Sequence, residues 1–204
     1  MTDTKDHWEH IYKTKNLEEV SWYEPTPATS LDFIKQFNVS KNARIIDVGG
    51  GDSLLADNLV NMGYTDVSVL DISEAALNRA KQRLGADANK VKWIVADAAK
   101  FVPAEQYDFW HDRAAFHFLT DEQDIRNYIA TITRYIKPNG IFVIGTFSEQ
   151  GPNKCSGIEI KQYTEDALMG ILQQFFDKVE CKEVEHTTPF NTIQKFIFCS
   201  FKHK

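Results

Sequence analysis

The stretch Asp47-Val48-Gly49-Gly50-Gly51-Asp52-Ser53 sets three glycines between two carboxylates, after one apolar run and before a helical stripe. Glycine permits positive φ and lets a ligand approach the backbone closely. Asp71 closes a second apolar run 20 residues after Gly51, where a carboxylate can accept both hydroxyls of a ribose. Asp97 follows a third run, and its short side chain can accept from an amino group such as that of adenine. Each acid alone is an ordinary strand-end or turn residue. Three of them beside a glycine loop point to a nucleoside site at the ends of three successive strands.

The loop does not fit a pyrophosphate. A G-x-G-x-x-G fingerprint starting at Gly49 needs glycine where Leu54 stands, and no G-x-x-x-x-G-K-[ST] motif occurs. Asp47 and Asp52 would repel phosphate near a helix start but suit a cation. A sulfonium cofactor with an ammonium group fits better than a dinucleotide.

The elements that must position these residues alternate. Arg44–Val48, Val67–Asp71, Val91–Val95, Tyr107–Trp110 and Ile141–Ile144 read as strands. Between them, Leu55, Leu59 and Met62 form a helical stripe stopped by Gly63. Ser73 caps a helix with Leu77, Ala80 and Leu84 inside. Thr120 and Gln123 make a capping box for a helix carrying Ile125, Ile129, Ile132 and Ile136, which Pro138-Asn139-Gly140 ends. Thr164 caps a helix to about Phe175, and two strands, 178–186 and 192–201, follow without a helix between them. The expectation is an α/β fold: a Rossmann-like, seven-stranded, mostly parallel sheet with helices on both faces and a C-terminal antiparallel hairpin. Residues 1–40 form a helical, aromatic cover, with a short helix over 5–14, and residues 41–204 form the ligand-binding domain.

Composition sets the outer limits. Of 204 residues, 43% are hydrophobic and 25% charged, which fits one globular domain with a real core. The net charge of −6 makes nucleic acid an improbable partner. No apolar run reaches a membrane span, and no leader is visible, so a cytoplasmic protein is expected. Cys155, Cys181 and Cys199 are odd in number and lack a CxxC pair, which predicts reduced thiols and no structural metal.

On these motifs the chain resembles the class I S-adenosylmethionine-dependent methyltransferases, from about Arg44 to Phe201. The resemblance implies S-adenosyl-L-methionine as cofactor. Asp47, Gly49, Gly50 and Gly51 would surround its methionine part, Asp71 would hold the ribose, Ile72 would pack on the base, and Asp97 with Ala98 would meet the adenine. Ser53 stands where the family often has a further glycine. Tyr107-Asp108-Phe109-Trp110-His111-Asp112-Arg113 resembles the fourth strand, whose end faces the reacting methyl, with Asp112 also beside the cofactor. The turn Lys137-Pro138-Asn139-Gly140 resembles the one before strand five. Trp8, Tyr12 and Trp22-Tyr23 resemble the aromatic cover of small thiopurine- and tellurite-type methyltransferases, a lid that would exclude water and face the cation.

Methyl transfer from a sulfonium is an in-line displacement. Placing nucleophile and methyl in line supplies about 7–11 kcal/mol, whereas a general base adds about 10²–10⁴-fold. Candidates for a base or acceptor anchor are His117, which could shuttle a proton near its ordinary pKa of about 6.5, together with His111, Asp112 and Arg113. The loop 151–157 after strand five offers Lys154 and Cys155. The leading expectation is a small-molecule acceptor. The alternatives are a lysine-type protein side chain, a nucleotide-binding module without turnover, and, against Leu54, a nicotinamide-dependent oxidoreductase.

Overall fold

A computed structural model describes residues 2–204. Five strands run parallel: β1 (Arg44–Val48), β2 (Asp66–Asp71), β3 (Val91–Val95), β4 (Tyr107–Arg113) and β5 (Ile136–Phe147). A small separate hairpin, β6 (Lys154–Cys155) and β7 (Ile158–Glu159), precedes the long antiparallel pair β8 (Phe176–Thr187) and β9 (Ile193–His203). The main sheet has the order β3-β2-β1-β4-β5-β9-β8, so the last strand inserts between β5 and β8. Among the described residues, six α-helices accompany it: α1 (Thr2–Thr14), α2 (Ala28–Gln36), α3 (Leu55–Asn61), α4 (Glu74–Leu84), α5 (Glu122–Tyr135) and α6 (Glu165–Leu172). This is the mostly parallel seven-stranded architecture with a C-terminal antiparallel pair that the strand–helix alternation predicts.

The strands carry apolar residues on both faces because both faces are covered. Ile45, Val67, Phe109 and Val143 pack with Phe33 and Ile34 of α2 and Leu55 and Leu59 of α3. Their neighbours Ile46, Trp110, Phe142 and Ile144 pack with Ile129 and Ile132 of α5 and Leu168 and Leu172 of α6. The period-two alternation of side chains therefore decides which sheet face each β4 residue serves.

Local details depart from expectation in four places. The N-cap of α5 is Asp121, whose Oδ1 accepts from the backbone N–H of Gln123 and Asp124, not Thr120. A carboxylate one residue nearer to the helix start also meets its dipole. The helix ends at Tyr135, and β5 begins at once with Ile136, carrying Pro138-Asn139-Gly140 as an irregularity with Asn139 at φ 65°. Proline is tolerated there because the ladder with β4 shifts register at that point. The loop after β5 contains the β6–β7 hairpin, whose two-residue turn, Ser156 and Gly157, has positive φ at both positions, as primed hairpin turns require. Finally, Cys181 and Cys199 form a disulfide, correcting the expectation of three reduced thiols. The β8–β9 register sets them directly opposite each other, and neither spacing nor count reveals register. Cys155 is free and buried.

Replacing Asp121 by Ala removes the cap of α5 and is expected to lower stability by about 1 kcal/mol. Chemical denaturation of the two proteins checks this, and the loss should be confined to stability, because the cap hydrogen-bonds within its own helix.

Candidate active site

In an open parallel sheet the ligand crevice lies beyond the carboxyl ends of the strands, where strand order reverses. That point here falls between β1 and β4. A cavity of about 300 Å³ opens there, at the lower end of the range typical of ligand pockets, about 300–1,000 Å³.

The glycine loop leaves β1 at the cavity floor. Gly49 has φ +68°, and a Cβ there would stand 2.4 Å from the Cβ of Ala115, so fold packing as well as ligand approach demands glycine. Gly51 has φ +51°, and a Cβ there would meet the Tyr12 hydroxyl at 2.5 Å. Gly50 lies over the Asp47 carboxylate. The N–H groups of Gly49 and Gly50 both donate to the Leu70 carbonyl, which ties the loop to the end of β2.

Carboxylates dominate the electrostatics. Asp71 is buried at the end of β2 and accepts from the Ser73 backbone N–H at 2.8 Å. Burial, with Asp52 and Asp47 nearby, raises its pKa to about 7. Asp52 is also buried and faces Arg79 at 3.1 Å, yet neither of its oxygens has a hydrogen-bond partner; burial pushes its pKa up. An orphaned buried carboxylate beside a second carboxylate raised toward neutrality is what a site for a cationic ligand looks like when only protein atoms are counted. The residues present therefore fit a sulfonium nucleoside with an ammonium group. Asp97 lines the cavity too, but its oxygens already accept from the Ala99 N–H at 3.0 Å and pair with Lys100 at 2.6 Å.

The β1–β4 pairing sets Asp47 beside His111. His111 Nδ1 meets Asp47 Oδ1 at 2.7 Å, and Nε2 meets Ser30 Oγ, on α2, at 2.8 Å. All three side chains are buried and all three line the cavity. Arg113, two residues on and on the same face, donates to the Trp22 carbonyl at 3.2 Å and faces Glu24 at 3.6 Å.

Helix α1 crosses the cavity. Trp8 packs against Tyr12, Trp22 and Phe118, with ring centroids 5.1–6.0 Å apart. Both ends of the contact with α4 are pinned. Glu9 accepts from the Glu74 and Ala75 N–H groups at the start of α4, and Arg79 donates to the Tyr12 and Lys15 carbonyls at the end of α1.

Of the residues singled out from the sequence, Trp8, Tyr12, Trp22, Asp47, Gly49, Gly50, Asp71, Ile72, Asp97, Ala98 and Arg113 are brought together on the cavity wall. Gly51 touches it through Tyr12. Two lie elsewhere. Asp112 points to the opposite face of the sheet, accepting from Tyr128 Oη at 2.6 Å and from the Ala115 and Phe116 N–H groups; burial raises its pKa to about 6. His117 is fully buried behind Phe118 and Phe147, with Nδ1 accepting from the Phe147 N–H. Burial, aided by Arg113, lowers its pKa to about 3 instead of the near-neutral value a proton shuttle needs. Sequence reasoning missed Glu24 and Ser30. Their only signal is position, on a proline loop and the first turn of α2, and it becomes readable once α2 is known to cover β1 and β4.

The family model described as a methyltransferase domain matches residues 45–140, from β1 through the start of β5. A 1,6-didemethyltoxoflavin-N1-methyltransferase from Burkholderia thailandensis, solved with bound S-adenosylhomocysteine, superposes with a TM-score of 0.71 at 16% identity, covering 100% of this chain and 85% of that one. Over residues 45–140 the chain is thus similar to methyltransferase domains, and over its whole length it shares the fold of solved S-adenosylmethionine-dependent methyltransferases. The chain is 25% identical over 158 residues to EEF1A lysine methyltransferase 2 of Danio rerio, covering 69% of the chain and 67% of the relative. It is 24% identical over 106 residues to a malonyl-[acyl-carrier protein] O-methyltransferase of Ilyobacter polytropus, covering 52% of the chain and 39% of the relative. The matched stretch thus spans well under half of that second relative. Among the described residues, no helix is long and apolar enough to cross a membrane.

His117 makes a pH prediction. Its folded pKa lies below its unfolded value of about 6.5, so its contribution to stability is full above about 6.5 and is lost as pH falls toward 3. His117→Gln is expected to flatten the fall in unfolding free energy across that window; denaturant titrations at stepped pH measure it.

Proposed function

We propose that this methyltransferase acts on an amine nitrogen, with a lysine-type side chain of a protein as the leading acceptor. The observation that carries the reading is the charge of the cavity wall. Glu24, Asp47, Asp52, Asp71, Asp97 and Asp124 face it, against Lys100 and an Arg113 already turned toward Glu24. A focused negative field concentrates cations and repels carboxylate and phenolate acceptors. The aromatic faces of Trp8, Trp22 and Phe118 add attraction for an ammonium or methylammonium group. The likeness to a eukaryotic elongation-factor lysine methyltransferase supports the same acceptor class. A small-molecule amine is the second reading, favoured by the modest size of the cavity, about 300 Å³, and by Trp8 and Tyr12 of α1 in its lining.

When bound, S-adenosylmethionine supplies an electrophilic methyl on a positively charged sulfur. The chain's task is to hold the two reactants in line, which is worth about 7–11 kcal/mol. We assign Asp71 to the ribose hydroxyls, Ile72 and Ala98 to the faces and edge of the base, and Asp97 to the adenine amino group through its remaining acceptor capacity. Asp47 and Asp52, with the loop Gly49–Gly51, face the cationic end. Trp8, Tyr12 and Trp22 exclude water from above. Asp112 acts indirectly, by fixing the backbone of Ala115 and Phe116 under the loop.

Asp71→Ala is expected to weaken S-adenosylmethionine binding by about 1.5–3 kcal/mol, the scale of hydrogen bonds to a charged group; titration calorimetry measures it, and an unchanged dissociation constant refutes the ribose assignment. Because the pKa of Asp71 lies at about 7, and the ionised carboxylate is the form that accepts both hydroxyls, affinity should tighten as pH rises from 6 to 8. Asp71→Asn should flatten that dependence. The acceptor is tested by incubating the enzyme and labelled donor with purified elongation factor 1A and, separately, with n-butylamine, then locating the methyl by mass spectrometry. Methyl on nitrogen in either supports the amine, and methyl on the factor's lysine identifies the leading acceptor. A protein that methylates only carboxylates or phenols in matched assays overturns the reading.

A further inference from the structure

The geometry points to Ser30, His111 and Asp47 as the proton acceptor for the amine, a relay in which Ser30 Oγ is the atom that meets the acceptor nitrogen. The inference rests on the amine reading above and deepens it.

An amine is protonated at neutral pH and has no lone pair to offer, and a cavity wall rich in carboxylates stabilises that protonated form further. The site must therefore remove a proton. His117 faces away from the cavity, and Asp112 serves the opposite face of the sheet. The Ser30–His111–Asp47 chain has the connectivity the task requires. The Asp47 carboxylate only accepts, so Nδ1 of His111 carries the hydrogen at 2.7 Å. A neutral imidazole then has its lone pair on Nε2, and the Ser30 hydroxyl donates to it at 2.8 Å. That leaves the lone pairs of Ser30 Oγ to receive a hydrogen from the cavity. The charged groups around His111 are few. Asp47 comes from β1, Arg113 lies on the same face of β4 with Glu24 beyond it, and Asp112 occupies the other face. From β5 the facing residue is Val143, and from α2 it is Ser30.

The proton balance is simple. The ammonium gives its proton to Ser30 Oγ as the hydroxyl hydrogen passes to His111 Nε2. The serine ends unchanged, the histidine becomes imidazolium beside the Asp47 carboxylate, and the amine is neutral. Its lone pair then forms the nitrogen–carbon bond as the carbon–sulfur bond breaks toward sulfur. The arrangement shares its order of donors with hydrolase triads, but here serine passes a proton and forms no covalent bond.

Two acceptors separate this role from a structural one. n-Butylamine is protonated at pH 7 and needs the relay; 2,2,2-trifluoroethylamine is electron-poor, already neutral at that pH, and does not. Ser30→Ala and His111→Gln are compared with wild type on both, with thermal unfolding and S-adenosylmethionine affinity measured for each protein. The expected result is a loss of about 10²-fold or more in kcat with butylamine, the size of a general-base effect, and a loss at least about tenfold smaller with trifluoroethylamine. Equal losses with both amines, in variants that fold and bind the donor, overturn the relay and leave the amine reading standing. A wild-type enzyme that binds the donor and methylates neither amine nor any lysine overturns the amine reading, and the relay falls with it. Should His111→Gln fail to fold, the acceptor ratio of Ser30→Ala decides alone, since its side chain is a small one on the cavity-facing side of α2.

Discussion

Three buried carboxylates, Asp47, Asp52 and Asp71, share one end of the sheet, and their mutual repulsion in a low-dielectric setting is the constraint around which the site is built. Each is restrained differently. Asp47 is held by His111, Asp52 by Arg79, and Asp71 by the backbone at Ser73. None of these arrangements cancels the negative field. Burial, and after it the charges of Asp52 and Asp47, raises the pKa of Asp71 to about 7, and a cationic nucleoside entering the cavity would relieve the repulsion. Binding energy and electrostatic relief thus act in the same direction, which is how a site gains affinity for a sulfonium without phosphate-binding backbone amides. The N–H groups of Gly49 and Gly50 are already committed to Leu70, so the loop itself does not offer that kind of anion cradle.

The same carboxylates explain why α1 sits where it does. Arg79 touches Asp52 with one nitrogen and the carbonyl end of α1 with another. Glu9 returns a carboxylate to the start of α4, where helix N–H groups are unpaired and the dipole favours negative charge. Since α4 begins directly after Asp71-Ile72-Ser73, the cover is fastened to the element that leads out of the candidate nucleoside site. Tyr12 sits against Gly51, beside Asp71, so the cover touches both the glycine loop and the end of β2 through one side chain.

How much of this was legible in the sequence follows from which physics is local. Strands, helices and the glycine loop depend on near neighbours, and the alternation of apolar runs displayed them. The acids at strand ends needed only the general rule that ligands lie beyond those ends. What failed was anything set by alternation near a strand terminus or by register. The apolar pattern ends that strand at Trp110 and leaves residues 111–113 as one cluster beyond it. Because β4 continues to Arg113, His111 and Arg113 turn to the cavity while Asp112 turns to Tyr128. The Cys181–Cys199 bond likewise depends on which residue of β8 faces which residue of β9. Ser30 and Glu24 depend on where α2 lands, a tertiary fact without a sequence motif.

The acceptor problem then reduces to a conflict within one cavity. The field that attracts an amine also keeps it protonated, so a wall of carboxylates alone would bind the acceptor in its unreactive form. Positioning supplies most of the rate in a displacement of this kind, about 7–11 kcal/mol against roughly 3–5 kcal/mol for a base, but positioning has no effect on a nitrogen without a lone pair. A soft sulfur acceptor would escape the conflict, and an amine does not. For the proposed amine acceptor, the buried hydroxyl–imidazole–carboxylate chain at the strand-order switch would resolve it, because it would take the proton into hydrogen bonds already formed.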